Sequence, residues 1–142
     1  MYHIFVDRFN RGSKEPMQPM PRRHIHESWD EPVVIGGDEE GIWNNDFYGG
    51  DLKGIIEKLD YIESLGVSIL YLSPIVYSQS THRYDASDYE TVDPYAGTNE
   101  DLKALLDNVT TTELSEDIVT LVNVLDDVIE ADLLTLLFGA KV

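Results

Sequence analysis

The spacing of apolar residues between residues 51 and 75 is the clearest pattern in the chain. Asp51 is a residue type that caps helices, and Gly66 is typical of the position just after a helix ends. Between them, apolar residues recur at three- and four-residue steps: Leu52, Ile55, Ile56, Leu59, Ile62 and Leu65. This pattern predicts one amphipathic helix over residues 51–65.

Two apolar runs flank this helix in the wider sequence. "VSILYLSPI" follows directly at residues 67–75 and is nearly continuous up to Ser73-Pro74, which is typical of a strand buried on both faces. "YHIFVDRF" at residues 2–9 predicts an earlier strand. Strand, helix and strand in this order predict a right-handed parallel crossover and therefore an α/β fold.

Two segments lack such periodicity. Residues 10–50 hold most of the prolines and an acidic block without lysine or arginine, so they predict a long loop. Residues 73–98 are rich in tyrosine, aspartate and serine, with His82 among them, and they predict a second irregular loop. Because that loop leaves the carboxyl end of a parallel strand, it is a candidate ligand-binding surface.

Composition narrows the classes of partner. With 142 residues and 42% hydrophobic content, the chain can bury one core. The formal net charge of −17 argues against nucleic acid as a partner. The absence of cysteine excludes disulfides and thiolate metal sites and favours the cytoplasm, and neither a signal peptide nor a membrane-spanning run is visible. We therefore expect a cytoplasmic protein without a membrane partner.

Three stretches together resemble a known family. "YHIFVDRF", "NDFYGGDLKGIIEKLDYIESLGVSILYLSPI" and "HRYDASDYETVDPYAGTNEDLKALL" are similar, in order and spacing, to the start of the catalytic barrel of the α-amylase family. That family is glycoside hydrolase family 13, and within it the stretches resemble the neopullulanase and cyclomaltodextrinase branch. The resemblance implies that residues 1–108 form the opening βαβ portion of a TIM barrel. It also implies a family reaction, the hydrolysis of α-glucosidic bonds in starch-like glucans.

The resemblance places specific residues in the sugar cleft. His82 and Tyr84 match the histidine and tyrosine that line the sugar subsite at the point of cleavage, and Asp85 and Asp88 match positions that shape the same loop. We expect His82, Tyr84 and Asp85 to contact an α-glucan oligosaccharide. The alternative is structural: Tyr84 and Tyr89 cover the top of the barrel and the aspartates cap turns.

The sequence also departs from the family pattern. The family draws its catalytic carboxylates from later strands, and a full barrel needs about 250 residues, so we expect an incomplete barrel and assign no catalytic residue. The family's third-strand motif is similar to "ILDxVxNH". The nearest string in this chain is "VLDDVIEA" at 124–131, where Glu130 and Ala131 replace Asn and His. We interpret that match as coincidence. The alternative function is a non-enzymatic module for oligomerisation or protein interaction.

Metal binding is not predicted. In some relatives the loop after the first strand holds calcium, but here Arg11, Lys14, Pro16 and Met17 occupy the expected ligand positions. Asp51 is better interpreted as a helix cap. His24 and His26, beside arginines, are interpreted as solvated surface residues. No cofactor is predicted either.

Residues 109–142 form a separate acidic segment. Seven acidic residues accompany one basic residue, Lys141, and apolar residues recur at helical spacing: Leu114, Ile118, Leu121, Leu125 and Val128. The pattern predicts one amphipathic helix, or two, that covers apolar surface. Because a small parallel sheet has unpaired edges, we expect a homo-oligomer.

Overall fold

The computed structural model describes residues 1–111, with side chains as far as residue 109. The predicted helical tail therefore lies outside the described residues, apart from its first residues. The strands are β1 Tyr2–Ile4, β2 His24–Ile25, β3 Asp46–Phe47, β4 Leu70–Leu72, β5 Val76–Ser78 and β6 Ala86–Val92. The α-helices are α1 Leu52–Ile56, α2 Leu59–Ser64 and α3 Asn99–Thr111, and a 3₁₀ turn spans Val6–Arg8.

The predicted parallel pair is confirmed. Strand β1 pairs with β4 in parallel, with Tyr2 opposite Leu70 and Ile4 opposite Leu72. Both strands are shorter than the sequence predicted. After β1 the chain turns, because the buried carboxylate of Asp7 accepts hydrogen bonds from the backbone amides of Tyr48 and Gly49, at 3.0 Å each. That turn ends the strand before residue 9.

The single helix predicted over residues 51–65 is wrong in one respect, because the structure has two helices there. Lys58, between α1 and α2, has φ −108° and ψ 8°, and its backbone amide donates to the carbonyl of Ile55, three residues back. This tighter hydrogen bond interrupts the α-helical ladder. Both predicted ends are confirmed: Asp51 caps α1 by accepting from the Gly54 amide at 2.7 Å, and Gly66 has φ +69°.

The loop predicted over residues 73–98 is also partly wrong. Strands β5 and β6 form an antiparallel hairpin, with Val76 opposite Val92 and Ser78 opposite Ala86. Helix α3 then begins at a reciprocal cap: the Thr98 amide donates to the Asp101 carboxylate and the Asp101 amide donates to the Thr98 hydroxyl. The long loop over residues 10–50 also contains regular structure, because β2 pairs with β3 in parallel.

The core lies on one side of the β1–β4 pair. Its apolar members come from both strands and all three helices: Ile4, Leu52, Ile55, Leu59, Ile62, Leu70, Leu72, Leu105 and Val109. Since side chains alternate along a strand, His3 and Tyr71 lie on the opposite face. Within residues 1–111, no helix is long and apolar enough to cross a membrane.

Candidate functional site

The three residues predicted to contact sugar lie together in the turn between β5 and β6. His82 is partly buried, whereas Asp85 is exposed and Tyr84 is 59% exposed. The imidazole of His82 and the ring of Tyr84 have centroids 5.9 Å apart and planes inclined by 34°. The structure therefore brings a histidine and an open tyrosine ring side by side at the surface.

Asp85 holds this turn in shape. Its carboxylate accepts a short hydrogen bond from the Ser80 hydroxyl and a second, of 3.2 Å, from the Ser80 amide. Partial burial raises the pKa of Asp85, but the hydrogen bonds from Ser80 and backbone amides outweigh it, so the pKa lies below its ordinary value of 3.8. Asp85 is therefore ionised at neutral pH and occupied with its own turn.

A backbone hydrogen bond favours one tautomer of His82. The Tyr84 backbone amide donates to Nδ1 at 3.1 Å, which favours the tautomer with the ring proton on Nε2. The Ser80 hydroxyl oxygen lies 3.1 Å from the same Nδ1. Of the residues the structure describes, none accepts a hydrogen bond from Nε2, which leaves this N–H available to a ligand.

Two further rings extend the surface onto the strands. The hydroxyl oxygens of Tyr84 and Tyr71 are 3.5 Å apart, and the Tyr71 ring lies 4.7 Å from the imidazole of His3. His3 Nε2 in turn lies 2.9 Å from the Ser73 hydroxyl. We call His3, Tyr71, Tyr84 and His82 the aromatic row. The hydrogen bond with Tyr71 raises the pKa of Tyr84, so its hydroxyl stays protonated at neutral pH.

Sequence reasoning missed His3 and Tyr71 as members of this surface. A signal was present, because each is a polar or amphipathic residue between apolar neighbours in a predicted strand. The strands' register, which places His3 opposite Tyr71, was not readable from either strand alone.

Beneath the turn lies a buried charge cluster that sequence reasoning also missed. The Asp93 carboxylate pairs with Arg23 through two hydrogen bonds, and Arg83 approaches it at 3.5 Å. All three side chains are almost fully buried. Burial lowers the pKa of Arg83, with Asp93 opposing the shift. Arg83 also has φ +58°, so the cluster holds the residue between His82 and Tyr84 in an uncommon backbone conformation.

The turn is also joined to the long loop. The Asn44 carbonyl accepts from the Thr81 amide at 2.7 Å and from the Thr81 hydroxyl at 2.8 Å. The same hydroxyl lies 2.9 Å from the Asp46 carbonyl. Residues 44–46 therefore fix the position of Thr81, next to His82.

The remaining predicted positions have structural partners. The Asp51 carboxylate accepts from the amides of Gly12 and Ser13 as well as Gly54, which confirms the cap. Asp88 is partly buried in β6 and accepts from the Glu90 amide at 2.8 Å. Within residues 1–111 there is no group of three or more histidine, cysteine or acidic side chains placed to hold a metal ion.

The prediction for the two histidines in "RRHIH" holds only for His24, which is exposed. His26 is buried instead: its ring stacks on Tyr48 with centroids 4.0 Å apart, and Nδ1 lies 3.2 Å from the Glu31 carboxylate. The pairing of β2 with β3 explains the difference. The His26 amide donates to the carbonyl of the buried Phe47 at 2.8 Å, so His26 lies in the interior beside β3.

A cavity of about 610 Å³ lies elsewhere, between residues 11–20 and the start of α3. Met17, Tyr95 and Asp101 are among its lining residues, whereas His82, Tyr84 and Asp85 are not. It is therefore separate from the aromatic row, and its mixed lining gives no specific indication of a ligand.

Comparison with known proteins identifies the class that this fold and surface define. The family model for the catalytic domain of α-amylase matches residues 3–123. The chain therefore belongs to the α-amylase family, glycoside hydrolase family 13, in its neopullulanase-like branch.

Curated relatives agree with this assignment. The chain is 45% identical over 121 residues to an amylopullulanase of Thermoanaerobacterium saccharolyticum, a match that covers 75% of this chain and 9% of the relative. It is 39% identical over 108 residues to a cyclomaltodextrinase of Thermoanaerobacter pseudethanolicus, covering 75% of this chain and 16% of the relative. The chain thus spans a small fraction of the length of these relatives.

Solved structures show the same fold. A type III pullulan hydrolase from Thermococcus kodakarensis matches with a TM-score of 0.62 and 35% identity, over 77% of this chain and 20% of that one. The structural neighbours are TIM-barrel enzymes, and the described residues form a part of such an α/β barrel. The comparisons lend no support to the alternative of a non-enzymatic interaction module.

Proposed function

We propose that this chain contributes one wall of an α-glucan-binding cleft in a family 13 glycosidase. The observation that carries the proposal is the exposed Tyr84 ring beside a His82 imidazole whose Nε2 proton is free. Aromatic rings stack on the apolar faces of sugar rings, and a fixed N–H donor hydrogen-bonds a sugar hydroxyl. The two side chains together suit a single glucosyl unit.

Asp85 takes a positioning role in this proposal. Its carboxylate is occupied by Ser80, and its Oδ1 lies 4.0 Å from His82 Nδ1. It orders the turn that presents His82 and Tyr84, and it places a negative charge beside the imidazole.

The substrate class follows from the family. The relatives are named for action on pullulan, maltodextrin rings and similar α-glucans. We extend this class to the present chain, with maltooligosaccharides as the ligands.

Bond cleavage requires more than this wall. A retaining glycosidase needs a carboxylate nucleophile and a carboxylic acid about 5 Å apart. Asp85 does not suit the role of the acid, because its lowered pKa keeps it ionised. The resemblance assigns both catalytic groups to later strands of the barrel. We therefore propose that residues 1–142 alone bind glucan without cleaving it.

The binding test is chemical-shift mapping with maltotriose, in the wild type and in Tyr84→Ala. We expect shifts clustered at residues 82–85 with a Kd of millimolar or weaker, about 4 kcal/mol or less, because a sugar held from one side is only partly buried. In Tyr84→Ala these shifts should vanish. The control is Tyr61→Ala, which removes a tyrosine of similar exposure, 51%, from α2 and should leave the shifts unchanged.

Two results would contradict this assignment. Shifts located away from the turn would show that sugar binds elsewhere. Binding that survives Tyr84→Ala unchanged would show that the tyrosine covers the fold and does not hold a ligand.

The chemical test is an assay for reducing sugar released from starch, maltodextrin and cyclodextrin. We expect no hydrolysis above background, because loss of nucleophile and acid together removes the covalent mechanism. Turnover that persists through repeated purification would show that a competent carboxylate pair is present in these 142 residues.

A further inference from the structure

Trp43 is a large aromatic side chain exposed on the loop between β2 and β3. It is 66% exposed, although Ile42 and Asn45, on either side of it, are hydrogen-bonded to Asp38. The chain contains two tryptophans, and the other, Trp29, lies with its ring 5.9 Å from that of Tyr48. We propose that Trp43 is a second stacking site for a linear α-glucan, beyond the His82–Tyr84 pair. This inference rests on the function proposed above.

The loop that carries Trp43 is organised by Asp38. The Asp38 carboxylate accepts from the amides of Glu40 and Ile42, at 2.9 and 2.8 Å, and from the side chain of Asn45 at 2.6 Å. The Asp38 amide donates in turn to the Ile42 carbonyl. The backbone on either side of Trp43 is thereby fixed before any ligand arrives, which lowers the entropic cost of binding.

Two glycines support the indole. A Cβ atom at Gly37 would lie 3.1 Å from the indole Nε1, and one at Gly36 would lie 3.9 Å from its Cη2. The Gly36-Gly37 backbone therefore packs directly against the ring, and a side chain at position 37 would displace it. Gly36 also has φ +97°, a conformation that favours glycine.

Trp43 is close to the proposed sugar subsite. Its neighbour Asn44 accepts two hydrogen bonds from Thr81, and Thr81 precedes His82. Adding the backbone steps along this path limits the distance between the Cα atoms of Trp43 and His82 to about 15 Å. An oligosaccharide of several glucosyl units can reach both side chains, whereas a disaccharide is too short to occupy both fully.

The local chemistry favours a neutral polyol over other ligands. Asp38, Glu39 and Glu40 lie beside the loop, and the whole chain carries a formal charge of −17, so an anionic ligand would be repelled. A glucan offers apolar ring faces for the indole and hydroxyl donors for carboxylate oxygens. The continuity between residues 43–46 and the His82 turn adds a geometric reason for the same occupant.

The test uses each tryptophan as a reporter. Trp29→Phe leaves Trp43 as the one indole in the chain, and Trp43→Phe leaves Trp29. With maltoheptaose we expect the emission of the Trp29→Phe protein to move to shorter wavelength and to become less quenched by acrylamide. Maltose should have a weaker effect, and the Trp43→Phe protein should not respond.

Affinity supplies an independent measurement. Trp43→Ala should weaken maltoheptaose binding about three- to tenfold, the range expected for loss of one aromatic contact, while maltose binding at residues 82–85 stays unchanged. Gly37→Ala should weaken maltoheptaose binding in the same direction, because the added methyl group would lie 3.0 Å from the Gly41 backbone and 3.1 Å from the indole Nε1 and would displace both the loop and the ring. Ile35→Ala is the matched control, because it removes a 96% exposed apolar residue from the same loop.

The outcomes separate this inference from the function on which it rests. Maltoheptaose that shifts the resonances of residues 82–85 but leaves Trp43 emission unchanged would overturn the inference alone. A Trp43 response without shifts at residues 82–85 would support the inference and contradict the proposed role of His82 and Tyr84. A change in Trp43 emission with protein concentration, in the absence of sugar, would identify a protein contact and overturn the stacking site.

Discussion

At the scale of single residues, Asp93 lies at the centre of a buried cluster of charged side chains. It is one buried carboxylate between two buried arginines, Arg23 and Arg83. The Arg23 guanidinium also lies over the rings of Phe47 and Tyr95, each at 4.7 Å. The two rings and Asp93 replace interactions that the Arg23 guanidinium loses with water on burial. Arg83 has weaker contacts of the same kinds: Asp93 at 3.5 Å, the Thr81 carbonyl at 3.4 Å and the Phe47 ring at 5.6 Å.

Asp93→Asn should therefore strongly destabilise the fold. It keeps the shape of the side chain but leaves two buried cations without a counter-charge, and breaking such a cluster costs about 3–5 kcal/mol. Urea denaturation followed by circular dichroism measures the change. Asp88→Asn, at a less buried carboxylate on β6, is the control and should cost less than about 1 kcal/mol. Equal losses in the two variants would show that the charge cluster is not a stabilising element.

The residues that the sequence predicted to act together are neighbours in the chain, whereas the contacts that it did not predict join distant residues. His82, Tyr84 and Asp85 are neighbours in the chain, so their grouping was visible in the motif. The Arg23–Asp93 and His3–Ser73 contacts each join residues 70 positions apart. No local pattern predicts such pairs, because the His3–Ser73 contact forms only when β1 pairs with β4, and the Arg23–Asp93 pair forms only when the long loop packs against the end of β6.

At the scale of elements, α1 packs unusually close to the loop after β1. A Cβ atom at Gly54 would overlap the backbone carbonyl of Asn10. The Asn10 side chain also donates to the Gly54 carbonyl at 3.1 Å. The glycine in "LKGII" is therefore required by this approach, although glycine in a helix interior is normally unfavourable.

The sign of the change in stability caused by Gly54→Ala tests this close approach. In an ordinary helix interior the change would stabilise by about 0.5–1 kcal/mol. Here we expect destabilisation by more than about 2 kcal/mol, because backbone must move to admit the methyl group. Thermal unfolding supplies the measurement, with Glu63→Ala on the exposed side of α2 as the control. A rise in melting temperature for Gly54→Ala would show that the helix and loop are not in close contact.

Hydrophobic periodicity predicted some features of the helices and strands and missed others. It identified which side of residues 51–65 faces the core, since Leu52, Ile55, Leu59 and Ile62 are all buried. It did not reveal the break at Lys58, which arises from backbone hydrogen bonding, and it wrongly included Leu65, which is exposed. The β5–β6 hairpin was missed because β6 is mostly polar and exposed. Its pairing comes from backbone groups, which leave no apolar signature.

At the scale of the whole molecule, the β1–β4 pair leaves two strand edges. Within residues 1–111, each of these strands pairs with the other and with no third strand. Unpaired edges favour association with another copy, whereas a formal charge of −17 opposes it. The balance between these two effects depends on salt.

We therefore predict self-association that increases with ionic strength. Salt screens charge repulsion, with a Debye length that falls from about 30 Å at 0.01 M to about 8 Å at 0.15 M, while backbone pairing persists. Multi-angle light scattering should give a molar mass above that of one chain, and the value should grow with added sodium chloride. A monomer of constant mass across the same salt range, with a sharp cooperative melt, would contradict the prediction.

The hydrogen bonds between the long loop and the rest of the fold determine what a single cut in the loop would do. Hydrogen bonds hold the chain on both sides of the exposed stretch 32–35. The His24 and His26 amides donate to the carbonyls of Asn45 and Phe47 across it, Arg23 pairs with Asp93, and Thr81 donates to Asn44. Exposed loop tips are preferred sites for proteases. A single cut in this stretch would leave two polypeptides joined by these contacts, so this loop is a natural place at which to divide the protein into two complementing fragments.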